Sequence, residues 1–144
     1  MTKKKIKNIV GFMGDGIFCK NSAEVLQGMG FYKISIGKKV LEISKYLIEA
    51  NGGEITEDIL NQIRNRGYKI NRLYWINLAL SSVPDDKKKI VIEDLRIEDI
   101  IKDVISPYYI SNGKKDDCPP DIEIIEKTKE ISDFKKIIES KFKS

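Results

Sequence analysis

The sequence predicts an α/β domain with a mainly parallel sheet covered by helices on both faces, and three observations carry that prediction. Short apolar runs of strand type alternate with segments of helical period along the whole chain. The strand runs at Ile6 to Phe12 and Ile90 to Ile92 are almost continuously apolar, as in strands buried on both faces. Glycines, prolines and Asn or Asp turns separate most of these segments. At 144 residues, with no internal repeat, low-complexity stretch or linker, residues 1–144 read as one domain.

In order, Ile6 to Phe12 closes on glycines and reads as the first strand. Ala23, Val25, Leu26 and Met29 recur at helical spacing from Ser22, and Phe31 to Ile36 alternates as a second strand. Val40 to Ile48 marks a helix that ends at Asn51-Gly52-Gly53. Thr56 caps a helix carrying Ile59, Leu60 and Ile63, which is expected to halt near Gly67. Asn71 to Ser81 is a helix apolar on nearly every side, hence buried. Ile90 to Ile92 follows as a central strand, then a helix over Ile97 to Ile105, a short strand Tyr108 to Ile110 and a polar loop Ser111 to Pro120. Ile122 to Ile125 is read as the last strand, and Phe134, Ile137, Ile138 and Phe142 as the closing helix.

Composition narrows the chemistry. There is no histidine, which excludes histidine-based general acid–base catalysis and argues against a zinc centre. Cys19 and Cys118 stand far apart in unlike surroundings, so no disulfide framework is predicted, and the expected compartment is a reducing cytoplasm. The N-terminal Met-Thr-Lys-Lys-Lys leads straight into an apolar run and reads as a solvated start to a strand. No apolar run approaches the roughly 20 residues that span a bilayer. The net charge of +4 is mild and scattered, which disfavours nucleic acid as a partner. Lys and Arg together number 26, yet only Arg64, Arg66, Arg72 and Arg96 are arginines, all in one window. Arginine grips phosphate bidentately where lysine does not; salt bridges are the competing use.

Immediately after the first strand stands Gly14-Asp15-Gly16-Ile17-Phe18-Cys19-Lys20-Asn21-Ser22, followed by a helix. A phosphate loop needs a glycine leaving the strand, four residues whose backbone N–H groups curl round an anion, a second glycine, a lysine and a hydroxyl at a helix N-terminus. The spacing from Gly14 to Lys20 fits that pattern, and Ser22 supplies a hydroxyl. Cys19 stands in place of the second glycine, and Asn21 where Ser or Thr usually follows the lysine. A register from Gly11 to Gly16 also has the glycine spacing but offers Ile17 and Phe18 where the lysine and hydroxyl belong. The remaining alternative is that Gly11, Gly14 and Gly16 only turn the chain.

On these residues the chain resembles the deoxynucleoside monophosphate kinases of phages and, more loosely, dephospho-coenzyme A kinases and other P-loop nucleotide kinases. Cys19-Lys20-Asn21-Ser22 stands where that family has Gly-Lys-Asp-Thr, a degenerate Walker A loop. Gly30 to Ser35 with the helix after it, Ile63-Arg64, Gly67, Tyr74-Trp75-Ile76, and Ile90 to Arg96 (IVIEDLR) resemble later parts of the family in the same order. The resemblance covers most of residues 5 to 110 and implies a three-layer P-loop NTPase-like fold with a shortened lid. No arginine follows Arg96; Lys114 and Lys115 are the point charges left for lid duty.

What the resemblance implies is ATP-dependent transfer of a γ-phosphate to a deoxynucleoside monophosphate, with Mg²⁺. Gly14, Asp15, Gly16, Cys19, Lys20, Asn21 and Ser22 are then the ATP-binding residues, Lys20 bridging the phosphates and Ser22 and Asp94, or Glu93 beside it, holding the metal. Lys20, Asp94 and Arg96 are the catalytic candidates, and Arg64, Arg72, Trp75 and Arg96 the monophosphate-binding ones. Asp94 as a helix cap, each arginine as a salt-bridge partner and Trp75 as core remain open alternatives. The partners implied are nucleotides and, as is common among such relatives, a second copy of the chain. The other function carried by the same residues is a catalytically impaired relative that binds nucleotide or a protein partner.

Overall fold

The computed structural model describes residues 8–111 and 121–143; Lys114, Lys115 and Cys118 fall outside them. The chain opens with strand β1 (Asn8–Gly14) and helix α1 (Gly16–Gly28), then β2 (Tyr32–Ile34), α2 (Ile36–Leu47), α3 (Glu57–Ile70) and α4 (Tyr74–Ser81). It continues with β3 (Lys89–Ile92), β4 (Ile105–Ser111), β5 (Glu123–Glu126) and α5 (Ile131–Phe142). All five strands run parallel in the order β2-β3-β1-β4-β5, so the expected parallel α/β architecture is present.

The sheet is buried on both faces because its central strands send apolar side chains both ways. Along β1, Ile9 and Met13 join one core with Trp75, Ile76 and Val40, the core roofed by α2, α3 and α4. Val10 and Phe12 point the opposite way into a second core with Leu26, Phe134 and Ile138, between the sheet and the packed pair α1 and α5. The period of two explains why these strands read as unbroken apolar runs. Phe134 is fully buried, a burial that contributes about 2 kcal/mol for a side chain of its size.

The helices follow from local signals. Ser35 and Thr56 cap α2 and α3 by accepting from the N–H groups of Lys38 and Ile59. Among the boundaries that differ from the sequence reading, three bear on the site. Gly67 does not stop α3, which runs through it to Ile70. It is glycine because a Cβ there would lie 2.2 Å from Trp75 Nε1, whose N–H donates to the Arg64 carbonyl at 2.8 Å. The helix expected over Ile97 to Ile105 is a single 3₁₀ turn, Ile97–Asp99, tied by Arg96 N–H donating to the buried Asp99 carboxylate at 2.9 Å. The third difference is the start of α1, at Gly16 rather than Ser22.

Strand order sets where a ligand can sit. From β1 the chain turns towards one edge through α1; from β3 it travels back past β1 to β4 on the opposite face. Adjacent strands whose connections leave in opposite directions open a crevice at their carboxyl ends. That crevice lies beyond Gly14 of β1 and beyond Ile92 of β3.

Candidate functional site

A cleft of about 470 Å³ opens at this place, with Gly14, Gly16 and Lys20 on one wall and Glu93, Asp94 and Arg96 on the other. Its size falls in the range of small-molecule sites. Gly14 makes the exit from β1 possible. Its φ is +107°, and a Cβ on it would stand 2.3 Å from the Ile110 carbonyl oxygen of the neighbouring β4. Gly11 lies inside β1 beneath Leu95, which a Cβ would meet at 2.6 Å, so the Gly11 to Gly16 register is mostly strand, closing on the cap and first residue of α1, and forms no loop.

The expected phosphate loop is corrected by its own conformation. Helix α1 begins two residues after the strand ends, so Ile17, Phe18, Cys19, Lys20 and Asn21 are all helical and no open arc of backbone N–H groups forms between Gly14 and Lys20. The Cys19 amide donates to the Asp15 carbonyl at 2.8 Å. The amides of Ile17 and Phe18 both donate to the Asp15 side chain, at 3.1 and 3.2 Å. Asp15 Oδ2 in turn accepts from Lys127 Nζ at 2.8 Å. The carboxylate of residue 15 therefore occupies the electropositive end of α1, where the resemblance places a phosphate.

The helical register also decides what the other loop residues do. Cys19 turns into the core between α1, α5 and the sheet, 3% exposed, and burial there, with the charge of Asp15 adding to it, pushes its thiol up to about 12. A thiol so buried stays neutral and unreactive at ordinary pH. Ser22 is fully buried, its hydroxyl donating to the Phe18 carbonyl at 2.7 Å, and Asn21 donates to the Ile17 carbonyl. Of the seven residues expected to bind ATP, Gly14, Gly16, Cys19 and Lys20 border the cleft. Lys20 is the cationic one and is exposed.

Asp94 is taken up by α2. Its two carboxylate oxygens accept from Ser35 Oγ at 2.9 Å, Ile36 N–H at 2.8 Å and Gly37 N–H at 2.7 Å, so it braces the start of a helix 57 to 59 residues away in sequence. Gly37 allows this: a Cβ on it would lie 2.9 Å from Asp94 Oδ2. The capping alternative holds, though on α2 rather than on the helix that follows. Ser22 is buried and Asp94 is engaged by α2, so neither is free to hold Mg²⁺; Glu93, the alternative ligand, stays on the cleft wall with a buried carboxylate oxygen that has no hydrogen-bond partner, and among the described residues no group of three or more Cys, Asp and Glu is arranged to hold a metal.

The three candidate arginines divide in the same way. Arg64 is 6% exposed and donates to Tyr68 Oη, the Asp94 carbonyl and Asp99 Oδ2. Arg72 donates to the carbonyls of Glu98 and Ile100, away from the cleft. Arg96 lies on the cleft wall, half-buried, with one bond from Nη2 to Asn61 Oδ1 at 3.1 Å. Trp75 is core, 1% exposed, which corrects its place as a base-stacking residue; Tyr74, packed edge-on against it, is the exposed ring of the pair.

Sequence reasoning missed Lys127, which lies beyond the end of β5 and carries no local motif. It also missed the Ser35-Ile36-Gly37 seat for Asp94, although a serine and a glycine flanking an apolar residue at a strand end are a legible helix start.

One pH effect follows. The Lys127 ammonium holds the Asp15 carboxyl below its ordinary 3.8, and the amides of Phe18 and Ile17 add to this against an opposing effect of burial. A depressed acid stabilises the fold above its unfolded value and loses that contribution as pH falls through the folded one. Burial raises Asp99 and gives the opposite sign. The stability gap between wild type and Asp15→Asn, read from urea midpoints, is therefore expected to narrow as pH falls below 3.8 and through the depressed folded value.

Among the described residues no helix is long and apolar enough to cross a membrane. Comparison with protein-family models, with curated proteins and with solved structures finds no match for this chain.

Proposed function

We propose that this chain is a catalytically impaired relative of the P-loop nucleoside monophosphate kinases, which binds a phosphate-bearing nucleotide in the cleft between β1 and β3 without transferring its phosphate. The observation that carries this reading is the occupancy of the α1 N-terminus by Asp15. Phosphoryl transfer is largely positioning and charge neutralisation by a backbone cradle, a lysine, a metal and arginines. Here the cradle is helical and capped, Ser22 and Asp94 are engaged within the fold, and two of the three arginine candidates hold the fold together. Lys20 and Arg96 border the crevice beside the buried, fully bonded Arg64, and side-chain cations suffice for binding.

The test is a calorimetric titration of ATP, ADP and the four deoxynucleoside monophosphates into wild type and Lys20→Ala. Saturable binding of at least one nucleotide is expected, weakened about tenfold in the variant, the loss expected when one charge-assisted contact worth about 1.4 kcal/mol is removed. Binding that ignores Lys20, or no nucleotide binding at all, contradicts the reading and leaves a domain that serves a protein partner.

A further inference from the structure

We infer that Glu93 selects the sugar of the bound ligand, its carboxylate accepting from the hydroxyls of a ribonucleotide whose phosphate lies against Lys20 and Arg96. This rests on the cleft-binding reading above and narrows it to nucleotides that carry a ribose. The observation behind it is a carboxylate that the fold leaves without donors. Glu93 lies on the cleft wall just past the end of β3, its backbone N–H donating to the Ile34 carbonyl at 3.2 Å. Its Oε2 is buried and has no hydrogen-bond partner. Lys33 Nζ stands 4.0 Å from that oxygen, close enough to offset its charge and too far to donate to it.

The neighbouring acids are treated differently. Asp94, the next residue, accepts from Ser35, Ile36 and Gly37. Asp99 Oδ1 is the other buried side-chain oxygen without a partner among the described residues, but Asp99 has no exposed surface and does not border the cleft. The Glu93 side chain is 16% exposed and so reachable from the cleft, and the broad terminal torsion of a glutamate turns either oxygen toward a ligand. An unsatisfied acceptor costs stability that a ligand recovers by bringing a donor. Phosphate oxygens repel a carboxylate, so the donor belongs to another part of the ligand. It also lies near the phosphate: the Cys19 thiol, raised first by burial, is raised further by the charges of Asp15, Asp94 and Glu93, which puts the carboxylate within electrostatic reach of the residue beside Lys20. On a 5′-nucleotide the sugar hydroxyls stand closer to the phosphate than the donor edge of the base does. A ribose offers a vicinal pair of hydroxyls to the oxygens of one carboxylate, and a deoxyribose lacks the 2′ member.

The experiment titrates AMP, dAMP, UMP, dUMP and ribose 5-phosphate by calorimetry into wild type, Glu93→Met and Lys20→Ala, in EDTA and again with Mg²⁺. Wild type is expected to bind the ribonucleotide of at least one pair about tenfold more tightly than its deoxy counterpart, the ratio for one hydrogen bond to a charged group. Methionine keeps the volume and removes the acceptor, so in Glu93→Met that ratio should fall to within about twofold. Lys20→Ala should weaken both members of the pair and leave the ratio in place. Thermal denaturation confirms folding, and the wild-type ratio tests the proposal even where a variant fails to fold.

Equal affinity for ribose and deoxyribose forms in wild type, with Lys20→Ala still weakening both, overturns the role of Glu93 and leaves the cleft reading intact. A wild-type preference that survives in Glu93→Met, or one that appears only with Mg²⁺ present, overturns it as well. Ribose 5-phosphate binding as tightly as AMP and UMP assigns the cleft to a sugar phosphate and overturns the nucleotide as its ligand. Absence of saturable binding by every nucleotide overturns the cleft reading and the sugar selection with it.

Discussion

Arg64→Ala is expected to destabilise the protein by roughly 3–5 kcal/mol, the cost of leaving one member of a buried charge network without its partner. The Arg64 guanidinium is bonded at 2.9 Å to Tyr68 Oη, at 2.9 Å to the Asp94 carbonyl and at 3.2 Å to Asp99 Oδ2. Asp99 has no exposed surface, and burial already raises its pKa. Removing the cation leaves that carboxyl to take up a proton or to remain charged in a low-dielectric interior; either route costs stability. For a chain of this length the loss corresponds to a fall in melting temperature of roughly 10 °C or more. Asp99→Asn, which removes the charge but keeps the shape, should cost clearly less. Were Arg64 a substrate-gripping residue, the substitution would instead leave the urea midpoint near wild type and abolish nucleotide binding.

Cys19→Gly is expected to destabilise by about 2 kcal/mol and to yield no phosphotransfer. In the loop reading this change restores a missing glycine and should raise activity. In the observed fold residue 19 lies inside α1, where glycine costs about 1 kcal/mol relative to alanine through backbone entropy. The lost side chain is 3% exposed among Leu26, Phe134 and their neighbours, so its removal also forfeits packing worth about 1 kcal/mol or more. A urea series at neutral pH, with melting temperatures alongside, measures the loss; a coupled assay for diphosphate product checks that no activity appears. A more stable and more active variant would restore the open loop.

The fold was legible because its determinants are local or periodic. Ile9 to Met13 and Ile90 to Ile92 are apolar on successive residues, and only a sheet covered on both faces asks for that. Ser35 does not stand out as a cap, because the alternation of Phe31 to Ile36 reads as strand up to its last residue. The structure gives Ile36 to α2, where Asp94 completes the turn. Gly67 reads as a stop because glycine usually is one after a helix; its reason here is Trp75, eight residues on, which no local rule supplies. The helix expected at Ile97 gave way to a 3₁₀ turn because Asp99 turns back to the Arg96 amide and to Arg64.

The site was half legible for a related reason. The topological crevice, Lys20 and Arg96 follow from strand order and spacing, and the structure brings them to one cleft. What spacing could not reveal is which polar groups the fold consumes. Asp94, Arg64, Arg72 and Ser22 have the right chemistry for catalysis and are bound to partners up to 59 residues away in sequence. Asp15 reads as a loop residue until Lys127 is placed beside it. A motif records which residues are near in sequence, whereas hydrogen-bond capacity is settled by tertiary neighbours.

The most direct test of the central claim is a single-turnover measurement with γ-labelled ATP, Mg²⁺ and each deoxynucleoside monophosphate in turn, with enzyme in excess over ATP. The account predicts that label stays on ATP, at the level of a protein-free control, under conditions where calorimetry shows the nucleotide bound. Transfer of label to any monophosphate that disappears in Lys20→Ala would contradict it, and would mean that the Asp15 cap opens into a working phosphate loop.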